Sequence, residues 1–183
     1  MEFWEVYDRH YARVRGYAAS MLRDPAAGDD VVQETFIRAQ AHLGALREPE
    51  KMAAWLLRIA HNLCMDHLRA RQSSRIDPAA DLDVLSAVEA ASLEQDLERR
   101  QMSDCVRGMI ERLPDNDRAV ILLFDIEGLS HEEIAGILGI DAGAVKVRLH
   151  RARKKLRAVL EDGCSFDRDE RDVLVCEPRP QKE

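Results

Sequence analysis

Seven basic side chains crowd one short stretch of the chain. Lys146, Arg148, Arg151, Arg153, Lys154, Lys155 and Arg157 lie between Asp141 and Leu160, against a single acid, for a net charge of +6. Guanidinium and ammonium groups at that density bind phosphate, and well-placed ones can donate to guanine O6 and N7. The stretch before it has the opposite sign: residues 115–135 hold six acids and one base. The whole chain of 183 residues carries 27 Lys+Arg and 34 Asp+Glu, a net −7. A uniformly basic nucleic-acid coat is therefore excluded, and any cationic surface must sit on one element. Taken alone, the run also suits the solvated face of a structural helix. The elements around it decide between the two.

Those elements form a helix-turn-helix pattern. Ser130-His131-Glu132-Glu133 is a capping box. It opens a short helix with Ile134, Ala135, Ile137 and Leu138 apolar, which Gly139 stops. Ile140 serves as an apolar plug. Asp141 caps the next helix, whose core face is Val145, Leu149, Ala152, Leu156 and Val159. The positions left for a major groove are Lys146, Val147, His150 and Arg151, near the helix start, where such motifs place their base contacts. Arg148, Arg153 and Lys154 suit phosphates. Gly143 either lets the backbone approach a sugar-phosphate chain or is merely tolerated in the first turn. Upstream, residues from about Ala87 through Val106, Met109, Ile110 and Leu113 read as helix. Pro114 breaks it, and Asp115 to Ile126 is helical again with Val120, Leu123 and Phe124 apolar.

The N-terminal part reads as a three-helix bundle. Trp4, Tyr7, Tyr11, Val14, Ala18 and Met21 recur at steps of three and four, a one-sided helix ended by Asp24-Pro25. A second helix turns Val31, Val32, Thr35, Phe36 and Ala39 inward. Leu43 to Glu50 is a loop. A third helix, reaching about Arg71, has Met52, Trp55, Leu56, Ile59, Ala60 and Leu63 inward and His61, Asn62, Met65, Asp66 and Arg69 on its polar side. His61, Cys64 and His67 are three apart, so they fan out around the helix instead of converging, and no metal site is expected. No C-x-x-C motif supports a redox enzyme. The 23 Ala residues, with only 9 Gly and 6 Pro and 5% aromatics, favour an all-α fold over a sheet. The longest apolar runs, Met52 to Leu57 and Ala119 to Phe124, are far below a membrane span. The start of the chain lacks the pattern of a signal peptide, so a cytoplasmic location with mostly reduced cysteines is expected.

Three motifs in order carry a family resemblance. Leu113-Pro114, Gly128-Leu129-Ser130-His131-Glu132-Glu133-Ile134-Ala135 and Val145-Lys146-Val147-Arg148-Leu149-His150-Arg151-Ala152-Arg153 resemble the promoter-reading C-terminal domain of bacterial RNA polymerase sigma factors. The group is the extracytoplasmic-function (ECF) type of the sigma-70 family. Asp29-Asp30-Val31-Val32-Gln33-Glu34-Thr35-Phe36 resembles that family's polymerase-clamp-binding helix. Trp55 to Leu63, with Asp66-His67-Leu68-Arg69, resembles its promoter-melting helix.

The resemblance implies two small helical domains joined by a flexible linker. Residues 1–72 would be the region 2-like unit, which binds core polymerase and recognises and melts the −10 element. Residues 73–94 would be an acidic linker. Residues 95–160 would be the region 4-like helix-turn-helix unit, which recognises the −35 element. It implies Asp29, Asp30, Gln33, Glu34 and Phe36 as core-polymerase contacts, although an acidic first turn also suits the helix dipole. It implies His61, Asn62, Met65, Asp66 and Arg69 at the −10 element, and the loop from Leu43 to Lys51 as the holder of a flipped base. Trp55 reads as core. Implied partners are core RNA polymerase, promoter DNA and an anti-sigma factor. No catalytic residue, cofactor, metal, small-molecule substrate or membrane insertion is expected.

Two other readings stand beside this one. A stand-alone helix-turn-helix regulator accounts for residues 113–160 but leaves the Asp29–Phe36 and Trp55–Arg69 motifs without a role. A protein-interaction module would set the basic helix against an acidic partner. The remaining segment, residues 161–183, is an acidic tail of net −4 with Phe166 and Val173-Leu174-Val175 as its apolar content. Its Cys164 and Cys176 are either two free thiols, a redox pair if the tail doubles back, or ligands to a metal shared with a partner.

Overall fold

The computed structural model describes residues 2–45, 48–74, 106–168 and 174–178. Helix α1 (Phe3–Leu22) ends where Arg23 turns left-handed at φ 55°. Asp24 then caps α2 (Pro25–His42) by accepting from the Ala27 N–H at 3.1 Å, and Pro25 sits in the first turn, where its missing N–H costs nothing. Two short 3₁₀ turns, Leu43–Ala45 and Pro49–Lys51, lead into α3 (Met52–Ser74). Arg71, near the end of α3, donates to the Leu22 carbonyl at 3.2 Å and pairs with Asp24. That contact locks the third helix onto the turn between the first two.

Among the described residues, the second unit's first element is helix α4, residues 106–111. Helix α5 (Asp115–Ile121) follows Pro114 and continues into a π turn, Leu122–Ile126. Helix α6 (His131–Leu138) and α7 (Ala142–Gly163) complete the helix-turn-helix. The capping box is formed: Ser130 Oγ accepts from the Glu133 N–H at 3.2 Å, and Glu133 Oε2 accepts from the Ser130 N–H at 2.8 Å. Gly139 ends α6 at φ 66°, a conformation a side chain resists. Asp141 caps α7 through the Ala144 N–H at 2.8 Å. The linker expected at 73–94 lies outside the described residues from 75 onward, as does the predicted helix from Ala87 to 105.

The architecture is all-α in both units, as expected. The tail departs from it. Strands β1 (Cys164–Arg168) and β2 (Leu174–Pro178) pair antiparallel, with Cys164 opposite Pro178 and Cys176 opposite Phe166. The two cysteines are therefore diagonal neighbours. A doubled-back tail exists, but its register does not set Cys164 against Cys176.

One apolar cluster runs through both units. It includes Val14, Tyr17 and Met21 of α1, Val32 and Phe36 of α2, and Leu56, Leu57 and Ala60 of α3. It continues into Leu113, Val120, Leu123, Ile134, Ile137, Val145 and Leu149. Helix α3 packs on α1 and α2 and also on α6, which joins the two units. One expected core position is corrected. Trp4 is 69% exposed, because the inward stripe of α1 passes through Phe3, Val6 and Tyr7, where Phe36 lies 4.7 Å from the Tyr7 ring.

Candidate nucleic-acid interface

Helix α7 is held by a narrow stripe. Val145, Leu149 and Ala152 are buried, and Lys155 pairs with the largely buried Asp117 of α5. Over its first three turns Ala142, Ala144 and Arg148 are half-buried. Lys146, Val147, His150 and Arg151 are exposed together, Val147 at 52% despite being apolar. Two donors, an imidazole and a methyl-bearing side chain on one helical face match the donor, acceptor and thymine-methyl pattern of a major-groove edge. Lys154 is also exposed.

Three α7 residues occupy less simple positions. Arg153 forks onto the Asp125 carboxylate, Nε at 3.2 Å, and its guanidinium stacks 5.1 Å from the Phe124 ring centre. It braces the π turn against α7, with half its side chain left in solvent. Arg148 is half-buried and lies close enough to His61 to disfavour a proton there. Gly143 has a local reason. A Cβ at this position would sit 3.0 Å from Asp141 Oδ1, the oxygen that caps the helix. The glycine leaves room for the cap, whatever else its bare backbone permits.

On α3, Asn62, Asp66 and Arg69 are exposed and Met65 is half-buried; Asp66 and Arg69 pair at 2.6 Å. His61 is corrected. It is 7% exposed, and its Nδ1 shares a 2.8 Å hydrogen bond with Tyr17 Oη. Burial, assisted by the charges of Arg69 and Arg148, lowers its pKa to about 4, so it is a neutral interior group and not a surface one. Cys64, one turn on, is also buried, and burial pushes its thiol up to about 12. A thiol held so firmly protonated is neither a nucleophile nor a ready metal ligand. Among the described residues no cluster of His, Cys, Asp and Glu could hold a metal ion.

On α2, Asp29, Asp30 and Gln33 are exposed and Glu34 is half-buried. Asp29 pairs with Arg15 at 2.6 Å and Glu34 with Arg38 at 2.7 Å. Phe36 is corrected: it is buried against Tyr7 and Phe3, so it can support a contact surface but not form one. Ile37 is an addition that motif matching does not supply. It is 56% exposed and shares a helical face with Asp30 and Gln33. Its signal in the sequence is an apolar residue standing outside the Val31, Val32, Thr35, Phe36 and Ala39 stripe.

Comparison with known proteins covers both units. Residues 6–74 match the family model described as sigma-70 region 2, and residues 103–156 match that of sigma-70, region 4. RNA polymerase sigma factor SigZ of Bacillus subtilis is 31% identical over 169 residues, spanning 92% of this chain and 93% of the relative. ECF RNA polymerase sigma factor SigW of the same organism is 32% identical over 167 residues, 87% of this chain and 89% of the relative. Among solved structures, the sigma factor RpoE bound to the anti-sigma factor NepR from Bartonella quintana superposes with a TM-score of 0.68. It is 24% identical and covers 87% of this chain and 96% of that one, a likeness of fold.

Proposed function

Since the chain belongs to the ECF group of the sigma-70 family of RNA polymerase sigma factors, we propose that its two helical units divide promoter recognition between them. It directs core polymerase to promoters, and the polymerase performs the synthesis. Residues 1–72 engage the polymerase through the α2 face of Asp29, Asp30, Gln33 and Glu34, and the −10 element through Asn62, Met65, Asp66 and Arg69. Residues 95–160 read the −35 element. There Lys146, Val147, His150 and Arg151 meet base edges, Arg148 and Lys154 meet phosphates, and Arg153 steadies the turn that carries α7. An anti-sigma factor controls the protein, as one binds the RpoE relative. No helix among the described residues is long and apolar enough to cross a membrane, in keeping with work beside polymerase in the cytoplasm.

The observation that carries this reading is the exposed groove-sized face at the start of α7, backed by a buried Val145–Leu149–Ala152 stripe. The test is run-off transcription with core polymerase on genomic fragments, followed by start-site mapping. Specific starts downstream of a shared pair of motifs are expected. A reconstituted holoenzyme that starts no specific transcript overturns the reading. Tight binding of a palindrome by a core-free dimer would favour the stand-alone regulator instead.

A further inference from the structure

Two large apolar side chains of the first unit, Trp4 and Ile37, stand in solvent on different helices yet on one surface. Helix α1 packs antiparallel on α2: the Phe3 and Phe36 ring centres lie 6.5 Å apart, and further along Arg15 pairs with Asp29 at 2.6 Å. Trp4 and Ile37 each follow by one residue a side chain that faces the opposite helix. Successive side chains turn by about 100° around a helix, and in an antiparallel pair that turn carries both to the same side. Helix α3 packs on the other side, over the buried Val6, Val14, Val32 and Ala39. Trp4 ends an aromatic row, with Tyr7 6.0 Å from it and Tyr11 5.2 Å beyond. Asp8, one turn after Trp4, is exposed and unpaired among the described residues, as is Asp30 on the α2 side.

An exposed indole with a carboxylate four residues on is a seat for a guanidinium. The ring face attracts a cation, tryptophan best among the aromatics. Side chains at i and i+4 stand about 5–6 Å apart on a helix, close enough to act on one group. We propose that Trp4 and Asp8 receive an arginine side chain of core polymerase, so that the polymerase contact spans α1 as well as α2. This rests on the proposed assignment of the α2 face to polymerase, and it names the aromatic anchor of that contact. The seat is continuous with Asp30, Gln33 and Ile37, and a stable interface draws on about 20–30 residues a side, far more than the α2 face holds. Its exposed apolar groups and uncompensated acids suit basic side chains set among apolar ones. A second copy of this chain would instead set Asp8 and Asp30 against their own kind across a two-fold axis.

The test is titration of the labelled full chain with purified core polymerase, read by fluorescence anisotropy. The variants are Trp4→Ala, Trp4→Phe, Asp8→Asn, the Trp4→Ala and Asp8→Asn double, and Arg9→Ala, whose exposed side chain lies about 140° around α1 from Trp4. Trp4→Ala should raise the dissociation constant about tenfold, as loss of an aromatic anchor does, and Asp8→Asn about threefold. Trp4→Phe should keep most of the affinity and Arg9→Ala all of it. The double should lose less than the product of the singles, because both residues act on one arginine. Thermal midpoints should match the parent, since both side chains are exposed. Should Trp4→Ala fail to fold, Trp4→Gln carries the same expectation. A parent that binds core no better than Trp4→Ala does overturns the seat alone. A parent that does not bind core at all overturns the polymerase assignment and the seat with it. A parent dimer that Trp4→Ala dissolves, with core binding unchanged, gives the surface to a second copy and overturns the seat.

Discussion

Helices α3 and α7 both offer a polar side to DNA, yet they are built differently. Helix α7 meets α5 and α6 along one narrow stripe, and three of its residues are buried. Helix α3 meets α1 and α2 of its own unit and α6 of the other, so Leu56, Leu57, Ala60, His61, Leu63 and Cys64 are all buried. Helical periodicity reports the first face a helix buries. It says little about a second, because that face belongs to a neighbour distant in the chain. For α7 the polar side is the functional side. For α3, part of the polar side is interior, and His61 has become a packing group with a single hydrogen bond.

The sharpest way to break this contrast is at His61. Replacing it with Ala leaves a cavity and strips the buried Tyr17 hydroxyl of its partner, which should cost about 3 kcal/mol in denaturant unfolding. A loss under about 0.5 kcal/mol would return His61 to the surface. The same residue predicts a pH dependence. In the folded state it titrates near 4, against 6.5 unfolded, so between those values the unfolded chain binds more protons. The stability that comes from a neutral His61 is complete above pH 6.5 and is lost as pH falls toward 4, by roughly 3 kcal/mol. His61→Gln should flatten that acid limb relative to the parent.

On α7 the expected effects fall on binding instead. Lys146→Ala and Arg151→Ala should each weaken upstream-element binding by about 1–3 kcal/mol, relaxing preference at one base position while leaving the melting curve unchanged. Equal losses on every sequence would make them phosphate contacts. Smaller still is the capping box. Ser130→Ala should destabilise the C-terminal unit by about 1 kcal/mol, seen as a lower thermal midpoint. The smallest pair separates a brace from a phosphate contact. Lys154→Ala should reduce the salt dependence of DNA binding by about one unit of slope. Arg153→Ala should leave that slope unchanged and cost under about 1 kcal/mol of stability through its half-exposed pair with Asp125.

Features that depend on a few neighbouring residues are legible in the amino-acid sequence. The Ser130–Glu133 box, the Asp141 cap, the Gly139 stop and the α7 stripe are local, because each uses atoms within four or five residues of chain. So is the sign change between residues 115–135 and 141–160, and with it the choice of α7 as the cationic element. The acidic face of α2 is legible for the same reason, and so is Ile37 beside it, an apolar residue standing off the buried stripe. The π turn at Leu122–Ile126 reads as ordinary helix in the sequence, since its extra residue is accommodated by contacts such as Arg153 on Phe124, 28 or more positions away. The tail's strands stay hidden because their pairing joins two segments whose register no local pattern sets.

What packing alone decided is which polar groups leave water. His61 is interior and Trp4 is exposed because of where α1 and α6 cross their neighbours. Arg13 pairs with Glu127, 114 residues away in the chain, and nothing in either one's surroundings in the sequence announces the other. Local propensity and charge act over a helical turn, so they set the elements and their chemistry. Desolvation and pairing act through space, so only the tertiary arrangement could assign partners to these charges and bury a histidine that the helix, by itself, would leave in water.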